Sequence, residues 1–174
     1  ALEFSETIAK SKTQPIIGTQ INIEYKGYRG KIPLFAKNLE GYKNLIKLSS
    51  KSFLEIKDNE EPHCKVEDIL ENYKGLILFS GSFDGLIGKL FFKNLTDEIY
   101  VLFERLKNIF NDDFYLEIQR HNDNGEKLLE KFLLEASSKL SLPLIATHEV
   151  FYLEKDMYEA HDAYLCVGEK TYVN

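Results

Sequence analysis

The amino-acid sequence predicts an α/β fold with a largely parallel sheet. Segments of strand pattern and helix pattern alternate at least three times along the chain, joined by short links. One strand-like stretch, Asp112 to His121, has faces of different character: Phe114, Leu116 and Ile118 alternate with Tyr115, Glu117, Gln119 and His121. Helices cover an apolar face of that kind. The other face, with a carboxylate, an amide and an imidazole, then looks into something wet, for which the mouth of a small parallel barrel is the obvious place.

At 174 residues and 44% hydrophobic, the chain suits one well-packed domain better than two. A net charge of -6 lacks the basic excess of a surface that tracks phosphates, so this segment is not expected to grip nucleic acid. Cys64 and Cys166 form no CxxC pair, which favours a reduced intracellular setting over a disulfide framework. No window approaches a membrane span, and no basic segment precedes an apolar one as in a signal peptide. A soluble, cytoplasmic protein with no membrane partner is the expectation.

The elements follow in order. Leu2, Phe4 and Ile8 begin a helical pattern with no capping residue before it, which reads as a cut inside a larger protein. From Gln14, Ile17, Ile21 and Ile23 alternate with Gly18, Gln20, Asn22 and Glu24, and a turn-rich KGYRGK returns the chain, so Ile21 to Tyr25 and Lys31 to Ala36 are expected as a hairpin. Leu39 to Phe53 is expected as a helix burying Tyr42, Leu45, Ile46, Ser49 and Phe53. Lys57 to Lys65 reads as an exposed loop in which His63 is solvated, and Val66 to Tyr73 as a short helix. LILFSGS is then a buried strand opening into a tight loop.

Thr96, Asp97 and Glu98 start a helix whose buried face is Ile99, Leu102, Phe103, Leu106, Ile109 and Phe110. After the central strand a second helix should bury Leu128, Leu129, Phe132, Leu133, Ala136 and Leu140, with Pro143 preventing continuation. LPLIATHEV is expected as a further buried strand, and Lys155 to Val167 as a last helix stopped at Gly168.

Gln20, Ser82, His121 and either His148 or Glu149 each fall at or beyond the carboxyl end of a different expected strand, where an α/β sheet gathers its site. A metal or phosphate pocket is one reading. Against it, the four histidines lack HxH or HxxxH spacing and no cysteine lies near them. Each residue also has a plain alternative: His121 caps its strand, Glu117 is screened by solvent or pairs with Arg120 or a lysine from elsewhere, Ser80-Gly81-Ser82 is an ordinary turn, and His161 is packed within the last helix.

The runs LEFSETIAKSKTQPIIGTQINI, AKNLEGYKNLIKLSS, GLILFSGSFDGLIGKL, FYLEIQRH and LPLIATHEVFYLEKDMYEAHDAYLCVGE closely resemble the PHP (polymerase and histidinol phosphatase) domain found in the alpha subunit of bacterial DNA polymerase III. The match runs in order over nearly the whole chain. It implies a distorted, TIM-like (β/α)7 barrel of which residues 1–174 are a fragment. In that family an HxH strand and a TDHG-type motif would lie upstream, and the polymerase palm downstream.

Transferred position by position, the family's metal site is a remnant. His121 matches the histidine after the family's LQR; Gln20 stands for a glutamate, Ser82 for a cysteine, and His148, Glu149, Val150 and Phe151 for an NDVH-type strand end. His121 and Glu149 are thus the retained metal-ligand candidates. Neutral Gln20 and Ser82 would hold a divalent cation far less well, and Phe151 not at all. The resemblance therefore implies a catalytically degenerate scaffold that stabilises a replicative polymerase and docks the proofreading exonuclease subunit, among other holoenzyme subunits, with DNA held elsewhere in the parent. No cofactor is expected in the fragment. The parent's polymerase site would use Mg2+, and zinc or manganese would enter the PHP site only if the degenerate site still binds. A metal-dependent phosphoesterase or 3'-5' exonuclease is the alternative, and a stand-alone histidinol-phosphatase-like enzyme a third reading.

Overall fold

A computed structural model describes residues 2–57 and 59–172. Ala1 and residues 58 and 173–174, which fall in the expected cut start, loop and domain end, lie outside the described residues. The elements are α1 (Leu2–Lys10), β1 (Gly18–Tyr25), β2 (Tyr28–Ala36), α2 (Leu39–Leu54), β3 (Cys64–Lys65), α3 (Val66–Glu71), β4 (Leu76–Phe79), α4 (Leu86–Phe92), α5 (Thr96–Phe110), β5 (Phe114–Ile118), α6 (Glu126–Leu140), β6 (Leu144–Ala146) and α7 (Tyr158–Glu169).

The six strands form one mixed sheet in the order β3-β1-β2-β4-β5-β6. The expected hairpin is present, with Tyr25 opposite Tyr28 and Gly18 opposite Phe35, and β2 also pairs antiparallel with β4. The pairs β1–β3, β4–β5 and β5–β6 are parallel. Among the described residues β3 and β6 are unpaired edges, so the sheet is open, not a closed barrel. Strand alternation separates its two faces. Ile21, Ile23, Ile32, Leu34, Leu76, Leu78, Phe114 and Leu116 are buried in one apolar cluster with Leu45 and Leu48 of α2, Leu86, Ile87 and Leu90 of α4, the Ile99–Phe110 stripe of α5 and Leu129, Phe132 and Leu133 of α6. Their alternates Gln20, Lys31, Pro33, Glu117 and Gln119 line a cavity.

Several expectations are corrected. On α2 the buried residues are Gly41, Leu45, Leu48 and Ser52, while Ile46 and Phe53 are 50% and 65% exposed. Close packing at Gly41 sets this rotation: a Cβ there would lie 1.8 Å from the Gly75 carbonyl oxygen. Asn38 caps the helix at that point, accepting the Gly41 N–H at 3.0 Å. Leu128 of α6 is exposed, and β6 is an exposed edge strand, not a buried one, with β5 as its one neighbour. Helix α7 runs through Gly168 and ends at Glu169, with Lys170 left-handed at φ 56°. Within the expected loop, Cys64 and Lys65 add to β1 as a parallel strand. His63 is buried, not solvated: its Nε2 lies 3.4 Å from Glu24 and 3.9 Å from Glu60, carboxylates that Arg29 also bridges. Helix α4, beginning after Gly85 with Leu86, Ile87 and Leu90 buried, was not anticipated from the sequence.

Candidate functional site

The cavity opens at the carboxyl ends of β4 and β5, where the loops after Phe79 and Ile118 leave the sheet. It encloses about 310 Å³ and brings together all five residues singled out from the sequence: Gln20, Ser82, His121, Glu149 and Phe151. Lys31, Phe83, Asp84, Glu117, Gln119 and Asp123 complete most of its wall. His148 is not in that wall; its ring stacks on His121 with centroids 4.7 Å apart and planes 19° apart.

Local structure fixes each group. Gln20 projects from β1 and donates its side-chain amide to Glu149 Oε1 at 3.3 Å. Ser82 follows Gly81, which has φ +82° and packs so close to Lys31 that an added Cβ would sit 2.8 Å from its carbonyl oxygen. His121 lies beyond β5 in a loop held by Glu126. That carboxylate accepts the backbone N–H of His121 at 2.8 Å and of Asn122 at 3.0 Å, and these bonds, the first above all, hold it below the usual carboxylate range. Arg120 points away and pairs with Glu130.

Glu117 behaves unlike a solvent-screened lumen carboxylate. It is 4% exposed, its backbone N–H donates to Ser80 Oγ at 2.9 Å, and its Oε1 accepts from Thr147 Oγ1 and, at 3.2 Å, from Gln119 Nε2. Its Oε2 is fully buried and, among the described residues, within full hydrogen-bond geometry of no donor. Burial pushes this carboxyl above its ordinary value; the bonds from Thr147 and Gln119 oppose the rise, the charge of Glu149 adds to it, and the backbone N–H of Gly81 opposes it weakly.

A scan against family models matches residues 1–121 to the PHP domain. The chain belongs to the PHP domain family. Its relatives carry the name DNA polymerase III subunit alpha: that of Rickettsia bellii is 39% identical over 169 residues, covering 97% of this chain and 14% of the relative. The Caulobacter vibrioides protein is 33% identical over 181 residues, 99% of this chain and 16% of the relative. This PHP chain thus spans about a seventh of the length of the Rickettsia relative, as its 14% coverage gives.

The donors of this PHP domain suit the family's zinc or manganese poorly. An amide donates and a carboxylate accepts, so Gln20 turns its hydrogen-bearing nitrogen, not a ligand lone pair, toward Glu149. Ser82 is neutral, and Phe151 has no donor. Among the described residues the one group of three histidine, cysteine or acidic side chains with ligand atoms within 4.8 Å is His121, Asp123 and Glu126. It excludes Glu149, and Glu126 already serves backbone amides. The sequence reading missed Asp123, Lys31, Phe83 and Asp84. Asp123 had a visible signal, two residues beyond His121, whereas Lys31 reaches the cavity only through the β1–β2 register.

Proposed function

We propose that this chain is a catalytically degenerate PHP segment of the alpha subunit of a bacterial replicative DNA polymerase. Within that cytoplasmic enzyme, which directs DNA synthesis through a separate Mg2+-dependent site, the segment stabilises the polymerase core and docks the proofreading exonuclease subunit. Residues 1–174 are read as part of a distorted (β/α)7 barrel, with HxH and TDHG-type segments upstream and the palm downstream in the parent. Other holoenzyme subunits are its further partners, and DNA is held by other parts of the parent.

The observation that carries this reading is the Gln20–Glu149 hydrogen bond. A neutral donor satisfies the carboxylate where a metal site would need a second anion and a cation between the two. Metal-dependent phosphoesterase or 3'-5' exonuclease action is the second reading, favoured by the proximity of His121, Asp123 and Glu126.

Two measurements test the proposal. In the parent polymerase, Gln20→Glu with Ser82→Cys leaves nucleotide incorporation unchanged; a large loss contradicts an inert site. On size exclusion at micromolar concentration the parent co-elutes with the exonuclease subunit, and a parent lacking this segment does not. Separate peaks for the intact pair contradict docking.

A further inference from the structure

Helix α2 carries an apolar row that the fold leaves unused. Its residues Gly41, Leu45, Leu48 and Ser52 are buried, whereas a second row, Leu39, Tyr42, Ile46 and Phe53, is between 41% and 68% exposed. Together with Ser49 the exposed positions follow one another at spacings of three, four, three and four residues. A row of that period is the narrow seam of a coiled coil, shaped to receive the side chains of a second helix; a strand or a flat surface has no use for it. Charge along the seam is uneven. Lys43, Lys47 and Lys51 recur four residues apart along one edge, against Glu40 in the first turn. Lys51 is engaged by Glu55 and Asp68, but among the described residues Lys43 and Lys47, both exposed, make no ion pair.

We propose that this face of α2 docks an amphipathic helix of a separate polypeptide, whose apolar seam is bordered by Asp or Glu residues that meet Lys43 and Lys47. Apolar side chains of the partner fill the holes between Leu39, Tyr42, Ile46 and Phe53, and Ser49 leaves room for a large one. Lysines at the border select acidic partners, because opposite charges across the edge of a helix pair fix partner and register while like charges repel. A second copy of this chain is disfavoured on that count, since it brings the same basic edge. Permanent cover by another part of the same chain is disfavoured by composition. Interiors are poor in lysine, and interface cores are depleted in both lysine and serine, yet α2 presents Lys43, Lys47, Ser49 and Ser50 beside its apolar row. That mixture suits a surface that faces water until a partner arrives. The 16 residues of α2 give it a length of about 24 Å, enough to pair with about two heptads of a partner. The assignment stands on α2 alone; neither the degenerate cavity nor exonuclease docking enters it.

Fluorescence anisotropy of the full-length polypeptide tests it, with a labelled, hydrocarbon-stapled helical peptide that carries Leu along its seam and Glu on both borders. One control peptide has Lys on the borders, the other Ser along the seam. The acidic probe should bind saturably and at least about tenfold more tightly than either control at low salt, with its lead over the lysine peptide narrowing as salt rises. Ile46→Ser should weaken binding by about tenfold, as loss of a central apolar anchor does. Lys43→Glu with Lys47→Glu should reverse the preference toward the lysine peptide. Leu128→Ser, at an exposed apolar position of α6, should change nothing. All four substituted side chains are exposed, so the variants keep the fold. A benzophenone side chain at position 46 then reports what lies on the seam, and it should cross-link the acidic probe. A cross-link to another part of the same chain or to a second copy would overturn the proposal. So would absence of binding, equal binding of the acidic and lysine peptides, or a charge reversal that leaves the preference unchanged.

Discussion

The side-chain amide of Gln20 on β1 meets Glu149 Oε1 at 3.3 Å, across 129 residues of sequence. It ties the hairpin side of the sheet to the segment beyond β6, two parts of the chain that no strand pairing among the described residues joins. A neutral donor does this without a cation.

Replacing that donor with a second carboxylate should loosen the cavity. Gln20→Glu loses the bond and sets like charges together at an exposed site, for an expected cost of up to about 1 kcal/mol. Urea denaturation reads this as a lower midpoint at unchanged slope. A midpoint equal to that of the native chain would show that the bond holds nothing.

Glu117 sets a pH dependence whose sign follows from its raised pKa. The unfolded carboxyl titrates near the ordinary value of 4.5, whereas burial lets the folded one keep its proton to higher pH. Between those values the folded state binds more protons, so stability falls as pH rises through the window and stays lowered above it. Glu117→Gln cannot ionise. Its stability relative to the native chain should therefore rise as pH is raised above the ordinary value of 4.5 in paired urea titrations; a flat or falling difference counts against a buried, destabilised carboxylate.

Thr147 holds Glu117 from β6's end of the sheet, with Gln119 as the second donor to the same oxygen. Thr147→Val keeps the side-chain shape and removes the hydroxyl. An expected loss of about 1 kcal/mol follows, together with faster hydrogen exchange at the β5–β6 pairing. Unaltered exchange at Leu116 and Ile118 would show that β6 is held by its ladder alone.

Gly41 tests the register of α2. An added methyl would meet the Gly75 carbonyl at 1.8 Å, so the helix must shift away from the strand it covers. Gly41→Ala should cost about 2 kcal/mol or more despite its higher helix propensity. A stabilised variant in thermal melts would mean that the helix sits farther from Gly75.

The same helix shows where sequence reading reaches its limit. Spacing located α2, but Leu45 and Leu48 lie on one apolar stripe and Tyr42, Ile46 and Phe53 on another, and periodicity cannot choose between them. The choice is made by contact between two glycines 34 positions apart, Gly41 and Gly75. Helix α5 was legible because its one apolar stripe, Ile99 to Phe110, leaves no such choice. His63 reads as solvated in a polar loop because its partner Glu24 comes from another element, β1.

The cavity was legible as a set of residues at strand ends, and Gln20, Ser82, His121, Glu149 and Phe151 do share its wall. The state of Glu117 was not. Alternation placed it on the polar face of β5, but its burial depends on Thr147, 30 residues onward, and on Ser80 of the loop after β4. Nor does a sequence pattern distinguish an amide that replaces a ligand from one that bonds the neighbouring carboxylate.

Metal content is the most direct test of a degenerate pocket. Elemental analysis of the purified parent polypeptide, with phosphoesterase assays before and after chelation, should find less than about a tenth of an equivalent of zinc or manganese per chain and no chelator-sensitive activity. Stoichiometric metal with phosphoesterase activity lost on chelation would contradict this, and would return His121 and Glu149 to the role of ligands in a working site.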